Sequence, residues 1–404
     1  MHIYIDVTDT VFTKSNTGIQ RVVKKTLQYM SSNQSTITVS PVVSYQGRFH
    51  EISLTVDEIL SLKENSNHTD TQEIHQRLIK KIRNLIARFP NIETAIKTKY
   101  IDRKILKRLK PIITNPINPK QGDVLYLCDY LFGQVDVLSA AKNYKRQSSN
   151  IVTLFYDLIP ITHSELFSGQ EFVTKFQQQL PLIADLSKKL ITISETSKRE
   201  FNRIYKDNNI PVEVHLLASE FKSTQPFGSF HHLEPGKKLF LSVGTLEPRK
   251  DYITILNALE QVWRKGKNYE FLIIGKDGWG SQHIKRKINE LQSNGFPVAW
   301  EKNADDDYLT KSYASSTAVI CASQAEGYGL PLIEAQQFHK HVIASDIEVF
   351  RELKSPNITY FKQGNAESLA EILDEFEPPK FTNMKIQNWQ QYTNDILASL
   401  TKLK

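Results

Sequence analysis

Cysteine is scarce: two residues in 404 cannot staple a fold. Cys128 and Cys321 lie far apart without metal-type spacing, so they read as small buried apolar side chains in a reducing compartment. No uncharged apolar run is long enough to span a bilayer. The first residues, Met1-His2-Ile3-Tyr4-Ile5-Asp6, meet an acid at once and lack a secretory core, so a cytoplasmic protein is expected. The eleven histidines form no zinc motif, and His231-His232 read as linker. Internal repeats and low-complexity tracts are absent. What remains is ordinary globular material. With 40% hydrophobic and 24% charged residues, the chain can build a real core and is not intrinsically disordered. Its length suits two domains, at most three.

Charge is uneven. The net charge is +7, from 51 Lys and Arg against 44 Asp and Glu. Between Arg77 and Lys110 stand twelve basic residues against only Glu93 and Asp102, a local +10, so the rest of the chain sums to -3. Apolar residues such as Leu78, Ile82, Ile86, Ile101, Ile105 and Leu109 are interleaved at helical spacing. Two readings stand side by side. The segment is a solvated helical pair, or it is a surface for anionic lipid or an anionic glycan acceptor at the membrane's inner face. Nucleic acid is not expected, because no RNA- or DNA-binding motif accompanies the charge.

Short β-branched and aromatic runs alternate with helical stretches, which predicts an α/β fold with parallel sheets. Strands are expected at His2–Val7, Ile37–Ser44, Asp123–Cys128, Ile151–Tyr156, Leu190–Ser194 and Val212–Leu217, with a helix over about Ile19–Met30. A second series follows at Leu239–Val243, Glu270–Ile274, Val298–Glu301, Thr317–Ala322, His341–Ala344 and Ile358–Phe361. This organisation predicts an N-terminal domain over 1–221 with a basic helical insert at about 66–118. A linker at 222–237, a C-terminal nucleotide-sugar domain at 238–385 and a final helix in 386–404 complete it. Two α/β halves suggest a ligand between them, at the carboxyl ends of the strands.

The most informative string is Glu326-Gly327-Tyr328-Gly329-Leu330-Pro331-Leu332-Ile333-Glu334-Ala335. A strand, a glycine turn and a helix starting near Pro331 let backbone N–H groups approach a phosphate, aided by the positive end of the helix. Glu326 and Glu334 bracket that turn. Two carboxylates would repel phosphate, so they fit hydroxyls of a sugar or ribose. Ser242-Val243-Gly244-Thr245-Leu246-Glu247-Pro248-Arg249-Lys250-Asp251 also lies at a strand-to-helix junction. There Arg249 and Lys250 could neutralise a pyrophosphate leaving group. Asp305-Asp306-Asp307 mimics an acidic metal motif but precedes a helix, so capping is the better reading. Asp6 and Asp9 end the first strand without metal-ligand spacing.

Together these strings resemble the retaining glycosyltransferases of family 4 (group 1), which have the GT-B fold of two Rossmann-like domains. Glu326 and Glu334 match that family's paired glutamates, and Val342-Ile343-Ala344-Ser345-Asp346 with Phe350-Arg351-Glu352 matches its continuation. Gly244 to Lys250 resembles its donor-phosphate loop, and Thr17-Gly18-Ile19-Gln20-Arg21 its first glycine loop. Tyr156-Asp157-Leu158-Ile159-Pro160 with His163, and Ser194-Glu195-Thr196-Ser197-Lys198, are similar to segments of mannosyltransferases of bacterial surface polysaccharides. Two positions depart: Tyr156 stands where the family often has His, and His339-Lys340-His341 replaces a Gly-x-Pro.

The resemblance implies a hexosyltransferase using a nucleotide diphosphate sugar, GDP-mannose first among donors, and a glycan or lipid-linked acceptor. It implies donor binding by Gly18, Gly244, Thr245, Arg249, Lys250, Gly327, Tyr328, Gly329, Leu330 and Glu334. Glu326 would contact the transferred sugar, and Asp157 and His163 would line the acceptor side. Neither a metal nor a cofactor is expected. A non-catalytic GT-B binding subunit and a GT-B sugar-nucleotide epimerase are the alternatives.

Overall fold

The computed structural model describes residues 1–14, 17–32, 37–62, 107–133, 136–147, 150–167, 169–219 and 237–403. The linker expected at 222–237 and the basic segment up to residue 106 fall almost wholly outside these residues. Contacts divide the chain into two compact units. One comprises Met1–Leu154, Gln179–Leu190 and Thr393–Lys404; the other comprises Phe155–Gln178 and Ile191–Tyr392. The segments 155–178 and 191–219, expected in the N-terminal domain, thus group with the second unit, where the Leu217 carbonyl accepts from Tyr328 Oη and Glu195 N donates to Glu352.

The first unit holds β1 (His2–Asp6), β2 (Thr38–Tyr45), β3 (Arg48–Ile52), β4 (Ile113–Pro116), β5 (Val124–Leu127), all but the last residue of β6 (Ile151–Phe155) and the first half of β7 (Lys189–Thr192), in the order β4-β3-β2-β1-β5-β6-β7. The pairs β1–β2, β1–β5 and β5–β6 are parallel, as expected. β3 and β4 are antiparallel additions that the parallel reading did not contain. Gln46 and Gly47 make the hairpin between β2 and β3, both at positive φ, 48° and 72°. Pro116 ends β4, where a missing N–H is tolerated at a sheet edge. Tyr4, Leu125, Leu127 and Ile151 pack against Val137, Ala140, Ala141 and Tyr144 of helix Val137–Gln147.

Asp9 is not at the end of β1 but in the short helix Thr8–Thr13, and it joins Asp6 and Asp129 in a buried group of carboxylates. Burial, compounded by Asp129, pushes Asp9 up to about 7. Asp6 and Asp129 are raised too, by burial foremost. Thr10 N donates to Asp129 Oδ2 at 2.7 Å and Gln20 Nε2 to Asp9 Oδ2 at 3.1 Å.

The second unit contains β8 (Val212–Val214), shorter than the expected Val212–Leu217, and a six-stranded parallel sheet. That sheet comprises β9 (Lys238–Val243), β10 (Tyr269–Ile274), β11 (Val298–Glu301), β12 (Ala318–Cys321), β13 (His341–Ser345) and β14 (Ile358–Phe361). Its order, β11-β10-β9-β12-β13-β14, is the doubly wound 3-2-1-4-5-6 arrangement. Alternate residues of each strand supply opposite faces. Phe240, Phe271, Ile273, Ile320 and Ile343 enter one core layer with helix Tyr252–Arg264, and Leu241, Leu272, Val319, Val342 and Ala344 enter the other. Strands covered on both faces are near-continuous apolar runs, which is why they were legible. Truncating a residue such as Ile273 to Ala costs about 2–5 kcal/mol.

Among the described residues, no helix is long and apolar enough to cross a membrane. Neither cysteine forms a disulfide, and both are buried. Asp305 accepts from Tyr308 N at 2.7 Å and caps helix Asp306–Ser315, as expected.

Candidate functional site

At the carboxyl end of β9 the chain turns through Gly244 and Thr245 into a single 3-10 turn, Pro248–Lys250. Asp251, at φ 47°, reverses the chain and caps helix Tyr252–Arg264, its carboxylate accepting from Thr254 Oγ1 at 2.8 Å. This fixes Arg249 and Lys250 at the mouth of the sheet. At the end of the neighbouring strand β12, Ser323 to Gly329 form the second loop. Gln324 N donates to the Arg249 carbonyl at 2.8 Å, so the two loops are hydrogen-bonded together.

The side chains then converge. Arg249 Nη1 donates to Glu326 Oε2 at 2.6 Å and to the Ala325 carbonyl at 2.9 Å. Its Nη2 and Nε reach Glu247 Oε1 at 2.7 and 3.0 Å. Lys250 Nζ donates to Glu326 Oε1, and Ser323 Oγ donates to the same oxygen at 2.7 Å. Arg249, Lys250 and Glu326 are all largely buried, with side chains 19%, 15% and 11% exposed. Burial alone would raise the Glu326 carboxyl, but Arg249 and Lys250 outweigh it and hold the pKa at about 2. The Arg249 guanidinium is correspondingly fixed in its charged form. The two cations expected to neutralise a pyrophosphate are therefore already paired. They share a carboxylate that an incoming anion would have to compete with.

Gly329 stands at φ 105°, and a Cβ there would meet the Phe350 ring at 2.8 Å, so only glycine gives this entry into helix Leu330–Gln337. Gly327 approaches another expected residue. A Cβ at 327 would lie 3.1 Å from Asp157 Oδ2. Asp157 follows β6, and its Oδ1 accepts from Ile159 N at 3.1 Å. Burial raises its pKa, partly offset by Arg249. The structure thus gathers Arg249, Lys250, Glu326, Gly327 and Asp157 in one place. His163 closes the short helix after Asp157, its Nδ1 2.9 Å from Thr162 Oγ1.

Glu334 is buried one turn into the helix, where it accepts from Tyr313 Oη at 2.7 Å. Tyr328 donates its hydroxyl to the Leu217 carbonyl at 3.0 Å. Leu330 is the first residue of the helix. Gly18 belongs to the first unit, where it opens helix Gly18–Ser32. His339 adopts φ 54°, the left-handed conformation suited to a glycine, so the departure there is absorbed as backbone turn geometry.

Several participants escaped sequence reasoning. Glu247 and Ser323 complete the ion cluster; Glu247 stands inside the string around Arg249 quoted above, and Ser323 lies three residues before the one that opens at Glu326. Glu200, on helix Glu195–Ile204, is pushed up to about 7, by burial first and by Asp157 next. That helix is tied to the Asp157 loop through Ser197 Oγ, which donates to the Tyr156 carbonyl at 3.1 Å. Glu352 caps it, accepting from Glu195 N at 3.0 Å and from Thr196 Oγ1. Among the described residues, no cluster of His, Cys, Asp or Glu could hold a metal ion.

Residues 227–390 match the family described as "Glycosyl transferases group 1", so the second unit carries a glycosyltransferase group 1 domain. The serotype-specific mannosyltransferase WbdA of Escherichia coli is 36% identical over 168 residues, covering 40% of this chain and 21% of that protein. The O-antigen chain mannosyltransferase B of Escherichia coli is 23% identical over 209 residues, 50% of this chain and 54% of that protein. The aligned stretches thus span about a fifth and about half of these relatives. A crystal structure of Anabaena HepE, solved with UDP and glucose, superposes with a TM-score of 0.58 at 13% identity, covering 100% of this chain and 96% of that one. The fold is that of the GT-B glycosyltransferases.

Proposed function

We propose that this chain is a nucleotide-sugar-dependent glycosyltransferase that moves mannose from GDP-mannose, with retained anomeric configuration, onto a growing bacterial surface glycan. The observation that carries the reading is the pairing of Arg249 and Lys250 on one buried carboxylate beside the glycine turn that starts helix Leu330–Gln337. The kind of sugar follows from the likeness to the two O-antigen and serotype mannosyltransferases.

A diphosphate entering here meets two fixed cations and the N–H groups of Gly327–Leu330 at a helix N-terminus. As the bond from the anomeric carbon to the diphosphate oxygen breaks, charge builds on that oxygen, and Arg249 and Lys250 stabilise it more than the ground state. Glu326, released in part from the cations, accepts hydroxyls of the transferred sugar, and Glu334 accepts those of the ribose. The acceptor hydroxyl forms the new bond on the face the diphosphate leaves, and its proton passes to a leaving phosphate oxygen. Asp157 and His163 line the acceptor side. The charge is balanced by side chains, so this scheme calls on no metal or further cofactor.

The test is to incubate the full chain with GDP-mannose and a panel of UDP- and dTDP-sugars, with manno-oligosaccharide as acceptor. Nucleoside diphosphate release with GDP-mannose, and an α-linked product by NMR, is the expected result. Release from none of the sugars would sink the proposal. Conversion of the donor sugar without acceptor would identify an epimerase instead.

A further inference from the structure

The loop after β10, Gly275-Lys276-Asp277-Gly278-Trp279-Gly280, is pinned beside the donor loop. Leu246 N donates to the Lys276 carbonyl at 2.9 Å and Gly278 N to the Leu246 carbonyl at 3.1 Å, with Leu246 and Asp277 bridged in parallel. Trp279 is therefore held on a short, hydrogen-bonded spur, and its backbone anchor, Leu246, lies three residues before Arg249.

Its ring stacks on Phe167, with centroids 5.3 Å apart and planes 15° from parallel. Phe167 follows His163 directly through the 3-10 turn Ser164–Leu166, and Phe172 packs on it at 5.6 Å. Both stacked rings are half-buried rather than part of the core. A polar detail separates Trp279 from two of the other tryptophans. Trp263 and Trp300 donate their indole N–H groups to the carbonyls of Tyr269 and Gly275, each at 2.8 Å. The indole N–H of Trp279 has no acceptor among the described residues, and it is not buried away from solvent.

A half-buried aromatic pair with a free N–H donor matches a pyranose ring, which offers an apolar C–H face and a rim of hydroxyls. The geometry points to Phe167 and Trp279 as a saccharide platform: a hexopyranose unit of the acceptor glycan lies against the pair, and one of its hydroxyls accepts from the Trp279 indole. The assignment of this saccharide to the acceptor rests on the transferase reading above. The rings adjoin the donor loop through Leu246 and the acceptor-side His163 through the chain. A platform there sets which hydroxyl of the bound glycan is presented for transfer, and so selects the linkage.

The experiment titrates the full chain with α-linked mannotriose and follows tryptophan emission. Wild type shows a saturable change. Trp279→Phe, which keeps the ring stack and the fold but not the indole, loses that change although three tryptophans remain. Trp279→Ala, losing stacking and hydrogen bond together, raises the mannotriose Kd or KM on the order of tenfold. Calorimetric GDP binding stays at the wild-type value in both variants. The platform is overturned if wild type shows no change up to the solubility limit of the saccharide. It is equally overturned if Trp279→Phe reports the same change as wild type, or if Trp279→Ala loses GDP binding along with saccharide. Binding of mannotriose does not require turnover, so failure of GDP-mannose to release nucleotide would refute the proposed activity while leaving this measurement readable.

Discussion

Replacing Glu326 with glutamine leaves the shape of the site nearly unchanged and removes one negative charge from between two cations. The magnitude can be worked from the carboxyl itself. Its pKa falls from the ordinary 4.5 to about 2, despite burial that opposes the fall. At about 1.4 kcal/mol per pH unit this is roughly 3 kcal/mol of stability. The cost of removing one partner from a buried ion pair, about 3–5 kcal/mol, is of the same size. Because the folded pKa lies below the ordinary one, this contribution is complete above pH 4.5 and lost only as pH falls toward 2. The full penalty therefore appears at pH 7. At about 2–4 °C per kcal/mol, the second unit of Glu326→Gln should melt about 6–12 °C lower than wild type in differential scanning calorimetry. GDP should recover much of the difference, because its diphosphate supplies the missing charge to Arg249 and Lys250. An unchanged Tm at pH 7 would refute the reasoning: Glu326 would then not be the anion that holds the cations in place.

Lys250→Ala should cut turnover about a hundredfold or more at saturating donor, the size expected for one lost charge at a developing leaving group. Wild-type turnover would displace the phosphate site from these loops. Glu334→Ala should raise the donor KM roughly tenfold with little change in kcat, since a ribose contact is equal in ground and transition states. A fall in kcat at unchanged donor affinity would contradict that role. The first unit should become more stable as pH falls from 8 toward 5, because the raised Asp9 carboxyl, at about 7, takes up a proton in the folded state before it does in the unfolded one. Asp6→Asn should flatten that dependence in thermal unfolding, and an equal slope in the variant would discount the carboxylate cluster. The +10 segment Arg77–Lys110 should sediment the chain with anionic but not neutral liposomes at low salt, and lose that binding at high salt; equal recovery with both lipids would leave it a structural elaboration.

The second sheet was legible almost strand by strand because each strand is buried on both faces and written as an unbroken apolar run, such as Leu239-Phe240-Leu241. The antiparallel edge was not. β3 reads Arg-Phe-His-Glu-Ile, half of it polar, and β4 is four residues ending in proline, so neither announces itself by hydrophobicity. The Gln46-Gly47 turn was the available signal. At the site, residue types were readable from the two strings, but their pairing was not. Arg249 and Glu326 are 77 positions apart, and only the adjacency of β9 and β12 brings the ends of their strands together. Asp129 likewise joins Asp6 and Asp9 from a distant strand end. Trp279 stood in plain view between two glycines. What marks it out, a half-buried indole stacked on Phe167 and without an acceptor, is a property of the folded surroundings.

The helix Trp389–Thr401 has a consequence for how such chains could be recombined. From Thr393 onward it belongs to the first unit, where Ile396 and Leu400 are fully buried and the Ser399 carbonyl and hydroxyl each accept from the Lys189 ammonium at 3.2 Å. The strand–helix series of the second unit is thus bracketed on both sides by chain that the first unit owns. A hybrid that exchanges everything after residue 237 would import a foreign closing helix against Lys189 and strand a buried ammonium. A hybrid that stops the exchange before Thr393 keeps the native helix, and with it the acceptors. New donor specificities should therefore be transplantable as an internal cassette rather than as a C-terminal half.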